Sequence, residues 1–248
     1  MEQIRPHIIE SCSGISGLFT LKNSSSVNRE GVIPGWNFGL NTTAGKQEVD
    51  HNYSTLLGSL SLAPDSLAIA RQVHGSQVNE VHRGGVYPDT DALLTDTPGL
   101  ALGIQVADCA AVLIADPVRR VVAAVHAGWR GALDEIVPKT VERMASGYRS
   151  QPEDLRVYIS PAICQKFFEV GEEVSSRFPP RFVDNHFGRK PHVDLKGFIV
   201  SQLAGAGVKE GHVQVDQGCT WLDRDRFYSY RREGDQAGRM LAMVWLYS

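Results

Sequence analysis

Two imidazoles and one thiol stand out for the residues around them. His74 lies in Arg71-Gln72-Val73-His74-Gly75, Cys109 in Val106-Ala107-Asp108-Cys109, and His126 in Val125-His126-Ala127-Gly128-Trp129-Arg130-Gly131. Each sits where a strongly apolar segment gives way to small or polar residues, which is where a sheet hands a side chain to a cleft. Two histidines and a cysteine suffice for a catalytic zinc ion, which takes three protein ligands and keeps one position open. A Cys/His nucleophile pair draws on the same residue types. Residue type alone leaves both chemistries open.

Spacing narrows the scaffold, not the chemistry. Cys109 follows His74 by 35 positions and His126 follows Cys109 by 17, unlike the close ligand pairs that organise a zinc finger. A larger, preformed scaffold must therefore assemble the three. Gly75, Ala127, Gly128 and Gly131 remove bulk beside the imidazoles and allow close approach of a ligand or of backbone. His7, His51, His82, His186, His192 and His212 have no such surroundings and read as ordinary polar side chains. HExxH and the HxE…PCxxC deaminase signature are absent, and so are a Gly-rich dinucleotide loop and a phosphate loop; Gly205-Ala206-Gly207 is too short to count. Arg71 and Arg130 flank the proposed ligands and could bind an anion, although a solvated arginine is an equal expectation.

The elements that must position these residues are clearest in the centre of the chain. Residues 100–106, 111–115 and 121–125 are short apolar, partly β-branched runs bounded by Asp, Pro and Gly, and predict three buried strands with Pro117 in the last turn. Residues 132–148 show helical spacing of Ile136, Val137, Val141 and Met144, with Gly147 as a stop. Further helices are expected over about 50–60, 171–178 and 194–205, the last with Leu195, Phe198, Ile199 and Leu203 on one face. Strands are expected over 66–73, over 78–81 as its neighbour, over 155–160, and over 240–246 as a closing strand. Residues 20–50 read as a long loop carrying Trp36. Strands and helices intermix without a strict βαβα beat, so a mixed α/β fold with mixed sheets flanked by helices is expected. No composition break marks a boundary, and 1–248 reads as a single catalytic domain.

Bulk composition excludes several classes. With 248 residues, 42% hydrophobic and 21% charged, the chain is that of an ordinary globular protein with a full core. A net charge of −3 and the lack of a basic stripe argue against nucleic-acid binding. Arg224, Arg226, Arg231, Arg232 and Arg239 form a local cluster that suits either a phosphate or a solvated face. The four cysteines are scattered, and neither a signal core nor a membrane-spanning run appears, so a reduced, cytoplasmic protein is expected.

The motifs together resemble the YfiH-like, laccase-domain family. The resemblance rests on Gln72-Val73-His74-Gly75, Ala107-Asp108-Cys109, His126-Ala127-Gly128-Trp129-Arg130-Gly131, Cys219-Thr220, Ser229-Tyr230-Arg231-Arg232 and Gly238-Arg239, in that order. Asp91-Ala92-Leu93, Ser160-Pro161-Ala162-Ile163 and Glu169-Val170-Gly171 are similar too. The likeness runs from about Arg71 to the C-terminus. Before it the chain departs: Ser24-Ser25-Ser26-Val27 stands where the family has Gly-Gly-x-Ser, and Asn52-Tyr53 where it has Asn-Arg, so the arginine's role does not carry over to Tyr53. Trp36-Asn37-Phe38-Gly39 is a variant of Leu-Asn-Leu-Gly.

The resemblance implies a single α/β domain, related to toxin deamidases that use a Cys/His pair, with zinc on His74, Cys109 and His126. It implies a purine nucleoside phosphorylase, a transferase that splits adenosine, inosine or S-methyl-5'-thioadenosine with phosphate. Deamination of adenosine, a hydrolase activity, is the second activity it implies. Zinc with an open position acidifies water for attack on the purine C6. Arg71, Arg130 or Arg231 could fork a phosphate, Trp36 or Trp129 could stack on the base, and Asn37, Gln72 and Asp108 complete the expected substrate contacts. The older family name, polyphenol oxidase, implies copper, and His/Cys/His superficially suits a blue-copper site. Multicopper oxidation also needs many histidines, typically as His-x-His pairs; this chain has eight histidines and no such pair. Metal-free hydrolysis or deamidation by Cys109 and His126, and a non-catalytic binding role, are the other readings.

Overall fold

A computed structural model describes residues 2–22, 33, 35–40, 42 and 45–247. Ser24 to Val27, where the chain departs from the family pattern, lie outside the described residues. The strands are, in chain order, β1 (Gln3–Ile4), β2 (Ile15–Thr20), β3 (Leu67–Ala70), β4 (Val78–Glu80), β5 (Gly85–Tyr87), β6 (Ala92–Thr95), β7 (Ala101–Val106), β8 (Ala110–Asp116), β9 (Val121–Ala127), β10 (Arg156–Ile159), β11 (Val183–Asp184), β12 (His192–Val193), β13 (Val213–Val215) and β14 (Met240–Leu246). The helices are α1 (His7–Glu10), α2 (Lys46–Ser59), α3 (Trp129–Leu133), α4 (Ile136–Tyr148), α5 (Glu172–Ser175), α6 (Leu195–Gly205) and α7 (Tyr230–Glu233). None is long and apolar enough to cross a membrane.

Two six-stranded sheets carry the fold, ordered β1-β2-β14-β7-β3-β5 and β13-β10-β8-β9-β6-β4. Both are mixed: the central pairs are antiparallel, and parallel pairs lie at β7-β3-β5, β13-β10 and β6-β4. Their inner faces meet, with Leu93, Leu113 and Ala124 of one sheet in the same buried cluster as Leu102, Ile104 and Val244 of the other. On the outer face of the second sheet, Val112, Ile114 and Val125 pack with Val141 and Met144 of α4 and with Ile199 and Leu203 of α6. On the outer face of the first, Leu241, Met243 and Trp245 pack with Val49, Leu56 and Leu57 of α2. The layers therefore run helix, sheet, sheet, helix. Successive side chains of a strand enter different apolar layers, so the central strands read as unbroken apolar runs without alternation.

This architecture corrects several expectations. Residues 78–81 are not the neighbour of the strand before them: β3 pairs with β7 and β5, whereas β4 pairs with β6 in the other sheet. The chain changes sheets between them, in the loop that carries His74. It changes sheets again between β7 and β8, at Cys109. β14 does not close an edge but lies between β2 and β7. The helix expected over 132–148 is two, interrupted at Glu135, which takes a left-handed φ of 59°. Gly147 lies inside α4; Arg149, at φ 60°, ends it instead, its own N–H donating to the Ala145 carbonyl and that of Ser150 to the Met144 carbonyl. The helix expected over 171–178 is the single turn α5.

The inter-sheet layer fixes the relation of both crossovers, so its loss is expected to be costly. Leu102→Ala is predicted to destabilise the protein by about 2–5 kcal/mol, the range for a buried leucine, as read from urea unfolding. A loss below about 1 kcal/mol would contradict a close-packed layer between the sheets.

Candidate metal centre and its cavity

The three expected ligands converge at the end of the sandwich where the chain changes sheets. His74 follows β3, Cys109 immediately precedes β8, and His126 is the penultimate residue of β9. The β8–β9 register places Ala110 opposite Ala127, and so brings Cys109 to the end of β9. One ligand atom from each of the three lies within 4.8 Å of the other two. The imidazoles meet edge to face, with ring centroids 4.8 Å apart. His126 is buried, Cys109 half-buried and His74 exposed, so the cluster opens to one side only.

Asp91, just before β6 and fully buried, holds the cluster. Its Oδ1 accepts from His126 Nδ1 at 2.7 Å and from the His74 backbone N–H at 3.0 Å; its Oδ2 accepts from the Val73 and Gly75 backbone N–H groups at 3.1 and 2.8 Å. Wrapping three successive N–H groups around one carboxylate requires a left-handed residue, and His74 has φ 62°. With Nδ1 committed to Asp91, His126 is left with Nε2 for the cluster, the arrangement by which a carboxylate orients a metal-binding histidine. Asp108, also at positive φ (86°), sets Cys109. Its carboxylate accepts from Thr220 Oγ1 and the Arg231 backbone N–H, both at 2.6 Å, and its carbonyl accepts from the Ile163 N–H at 2.9 Å.

The donor set fits a divalent ion such as zinc. Zinc bonds of about 2.0–2.3 Å in tetrahedral geometry put ligand atoms roughly 3.3–3.8 Å apart, so small side-chain shifts close the set. Gly128 leaves room for this. A Cβ there would stand 3.0 Å from Cys109 Sγ and 3.3 Å from His74 Cδ2. Gly131 is equally constrained, since its Cβ would meet the Gly75 carbonyl at 2.7 Å. Without a metal the same groups form a charged pair. Burial alone would raise the Cys109 thiol, but the His126 charge and hydrogen bonds from both imidazoles outweigh it and hold the thiol at about 6. Burial would likewise lower His126, yet the Cys109 thiolate and the bond to Asp91 raise it to about 9.

The cluster faces a cavity of about 620 Å³, within the range of small-molecule sites. Arg71, Gln72, Asp108, Trp129, Arg130 and Arg231 of the sequence expectations line it, and so do Gln105, Phe168, Tyr230 and Arg239. Trp36 and Asn37 do not. Trp36 packs against the cluster under α2, and the Asn37 side-chain oxygen accepts from the Gly39 and Arg239 N–H groups. Gln72 lines the cavity but spends both ends of its amide on the Gln105 backbone. Asp108 uses both carboxylate oxygens internally, and Arg231 Nη1 donates to the Glu169 carbonyl. Among the described residues none of Arg71, Arg130, Arg231 and Arg239 forms an ion pair, so the cavity wall presents unpaired cations. Tyr53 is buried and structural; its hydroxyl donates to the Phe38 carbonyl and accepts from Gln105. Asp91 and Arg239 stood in motifs but not among the expected site residues; Arg239 also belonged to the arginine cluster that suits a phosphate or a solvated face. The sequence signal for Asp91 was the Asp91-Ala92-Leu93 likeness, which carried no role for the carboxylate.

Two measurements follow from this geometry. Asp91→Asn removes the charge under His126 and is expected to weaken metal retention by about 10–100-fold, measured as bound metal after dialysis against a graded chelator; unchanged retention would contradict Asp91's role. In metal-stripped protein the Cys109 thiolate is the reactive form. Its alkylation rate should therefore hold above about pH 6 and fall below it, and in His126→Ala that midpoint should move up.

Known proteins resemble this chain over nearly its whole length. Residues 18–247 match the family described as multi-copper polyphenol oxidoreductase laccase. A Deinococcus radiodurans protein named purine nucleoside phosphorylase is 40% identical over 202 residues, 80% of this chain and 77% of that protein. A protein named adenosine deaminase RL5, from an unknown prokaryotic organism, is 29% identical over 208 residues, 77% of this chain and 79% of that one. The crystal structure of Bacillus licheniformis hypothetical protein YfiH superposes with a TM-score of 0.89 at 28% identity, covering 96% of this chain and 95% of its own.

Proposed function

Because the chain belongs to the multi-copper polyphenol oxidoreductase laccase family, we propose that it is a zinc-dependent purine nucleoside enzyme. It splits adenosine, inosine or S-methyl-5'-thioadenosine with phosphate, and it deaminates adenosine. The whole of 1–248 acts as one catalytic domain. The observation that carries the reading is His74, Cys109 and His126 converging on one side of a cavity whose wall holds unpaired arginines. The names of the relatives, one a phosphorylase and one a deaminase, support the substrate class.

His74, Cys109 and His126 would hold the ion, which supplies a Lewis acid at the open face of the cluster. Asp91 keeps the Nδ1 proton on His126 and so keeps Nε2 turned to the cluster. Asp108 fixes the turn that presents Cys109. For phosphorolysis a phosphate oxygen must meet the ribose anomeric carbon as the base departs. Arg239 suits the phosphate best, because Nη1 is pinned to the Ala237 and Gly238 carbonyls and the guanidinium is already oriented in the wall. Arg71 and Arg130 are exposed at the cavity and can add charge; Arg130 sits over the Trp129 ring at 4.4 Å. Arg231 holds the wall rather than the substrate.

Multicopper oxidation lacks donors among the described residues. All eight histidines and all four cysteines lie among the described residues, and His74, Cys109 and His126 are the single group of three metal-binding side chains found there. A trinuclear copper cluster has nothing to bind it. One observation favours a second reading, the depressed Cys109 thiol beside a raised, Asp91-bound His126. That is the order of a metal-free Cys-His-Asp nucleophile. Elemental analysis separates the two: stoichiometric zinc lost in Cys109→Ala supports the metal centre, and metal-free protein that still turns over refutes it.

The direct test is incubation with adenosine and phosphate, followed by chromatography for adenine and inosine. Both products are expected from the native protein, with a loss of at least about 100-fold in His74→Ala, since the open face loses its exposed ligand. Neither product rising above that variant would refute the nucleoside reading.

A further inference from the structure

Two cysteines outside the triad lie sulfur to sulfur. Cys219 Sγ is 2.7 Å from Cys164 Sγ, and the Cys164 N–H donates to Cys219 Sγ at 3.2 Å. Both are free thiols; Cys219 is buried and Cys164 partly exposed, so a reagent reaches the pair from Cys164. Each is next in sequence to a residue that holds Asp108: Ile163 through the Asp108 carbonyl, and Thr220 through its carboxylate. The two segments are already paired, since Ala162 and Cys219 form a parallel bridge and the Thr220 N–H donates to the Ala162 carbonyl at 3.1 Å. A little further on, Phe167 and Trp221 stack with centroids 4.0 Å apart.

We propose that Cys164 and Cys219 are an oxidation site, a dithiol that reacts with a small disulfide and closes into a cross-link between the two segments that hold Asp108 beside Cys109. In the first step the Cys164 thiolate attacks one sulfur of the oxidant, the oxidant's S–S bond breaks, and one thiolate leaves. Cys219 then gives up its proton and attacks the Cys164 sulfur, displacing the second thiolate. The protein loses two electrons and two protons, and the oxidant is reduced to two thiols. The sulfurs must close from 2.7 Å to about 2.05 Å, on segments that the Ala162–Cys219 bridge already holds side by side. Burial and the neighbouring thiol push Cys164 up to about 11, so little thiolate exists at neutral pH and the first step is slow.

Incubation of the native protein with oxidised glutathione at pH 8 for several hours, followed by blocking of free thiols, digestion and mass spectrometry, tests this. A peptide pair joined at Cys164 and Cys219 is expected, abolished by dithiothreitol, with alkylation of both residues at least tenfold lower than in the untreated protein. In Cys219→Ser the oxidation should stop at glutathione on Cys164. Free thiols at both positions, or glutathione on Cys164 as the end product in the native protein, would overturn the proposal. Peptide mapping reads Cys12 and Cys109 separately, and no outcome bears on the nucleoside activity.

Discussion

The site depends on one buried carboxylate. Asp91 is removed from water, which on its own would strongly disfavour its charge. Four donors replace the lost hydration, three backbone N–H groups of the His74 loop and the His126 ring, and together they hold the Asp91 carboxyl below its ordinary range. The Asp91 carbonyl takes the His126 backbone N–H as well, at 2.7 Å. One residue thus fixes a loop that leaves the first sheet, the end of a strand in the second, and the ring orientation of a ligand. Removing it would release His74 and His126 together.

The rest of the fold makes that arrangement possible. A sandwich of two sheets with helices outside has its chain crossings at the sheet ends, and two crossings carry His74 and Cys109. His74 and the residue before Cys109 therefore sit in turns that join the two sheets, with left-handed backbone at His74 and at Asp108, while His126 lies at the end of β9. Such conformations persist where surrounding bonds over-determine them, and here the bonds are those of Asp91 to the loop and of Thr220, Arg231 and Ile163 to Asp108. Rigid support of this kind would present a metal with ligands already close together, and it also explains why the cavity wall uses so many polar groups on itself.

What the sequence showed follows from the same physics. Chemistry-bearing residues at the ends of apolar runs were legible, because β7, β8 and β9 are buried on both faces and read as continuous apolar stretches. Pairing was not: that β4 belongs to the opposite sheet from β3, or that β14 runs between β2 and β7, depends on contacts far apart in the chain. Asp91 appeared only as part of the Asp91-Ala92-Leu93 likeness, since its partners meet only after the His74 loop has closed. Gln72 and Asp108 stood in the right motifs, but residue type cannot say whether a polar group faces substrate or backbone. Asn37 fixes the Arg239 backbone and Trp36 packs against the apolar cluster under α2, away from the residues that line the cavity.

The central claim is that this scaffold makes one metal centre from two imidazoles and a thiolate, and X-ray absorption at the metal edge of the purified protein tests it most directly. One sulfur at about 2.3 Å and two nitrogens at about 2.0–2.1 Å, with a light atom completing the shell, are expected for zinc. A shell without sulfur, or one with two or more sulfurs, would contradict a site built from His74, Cys109 and His126.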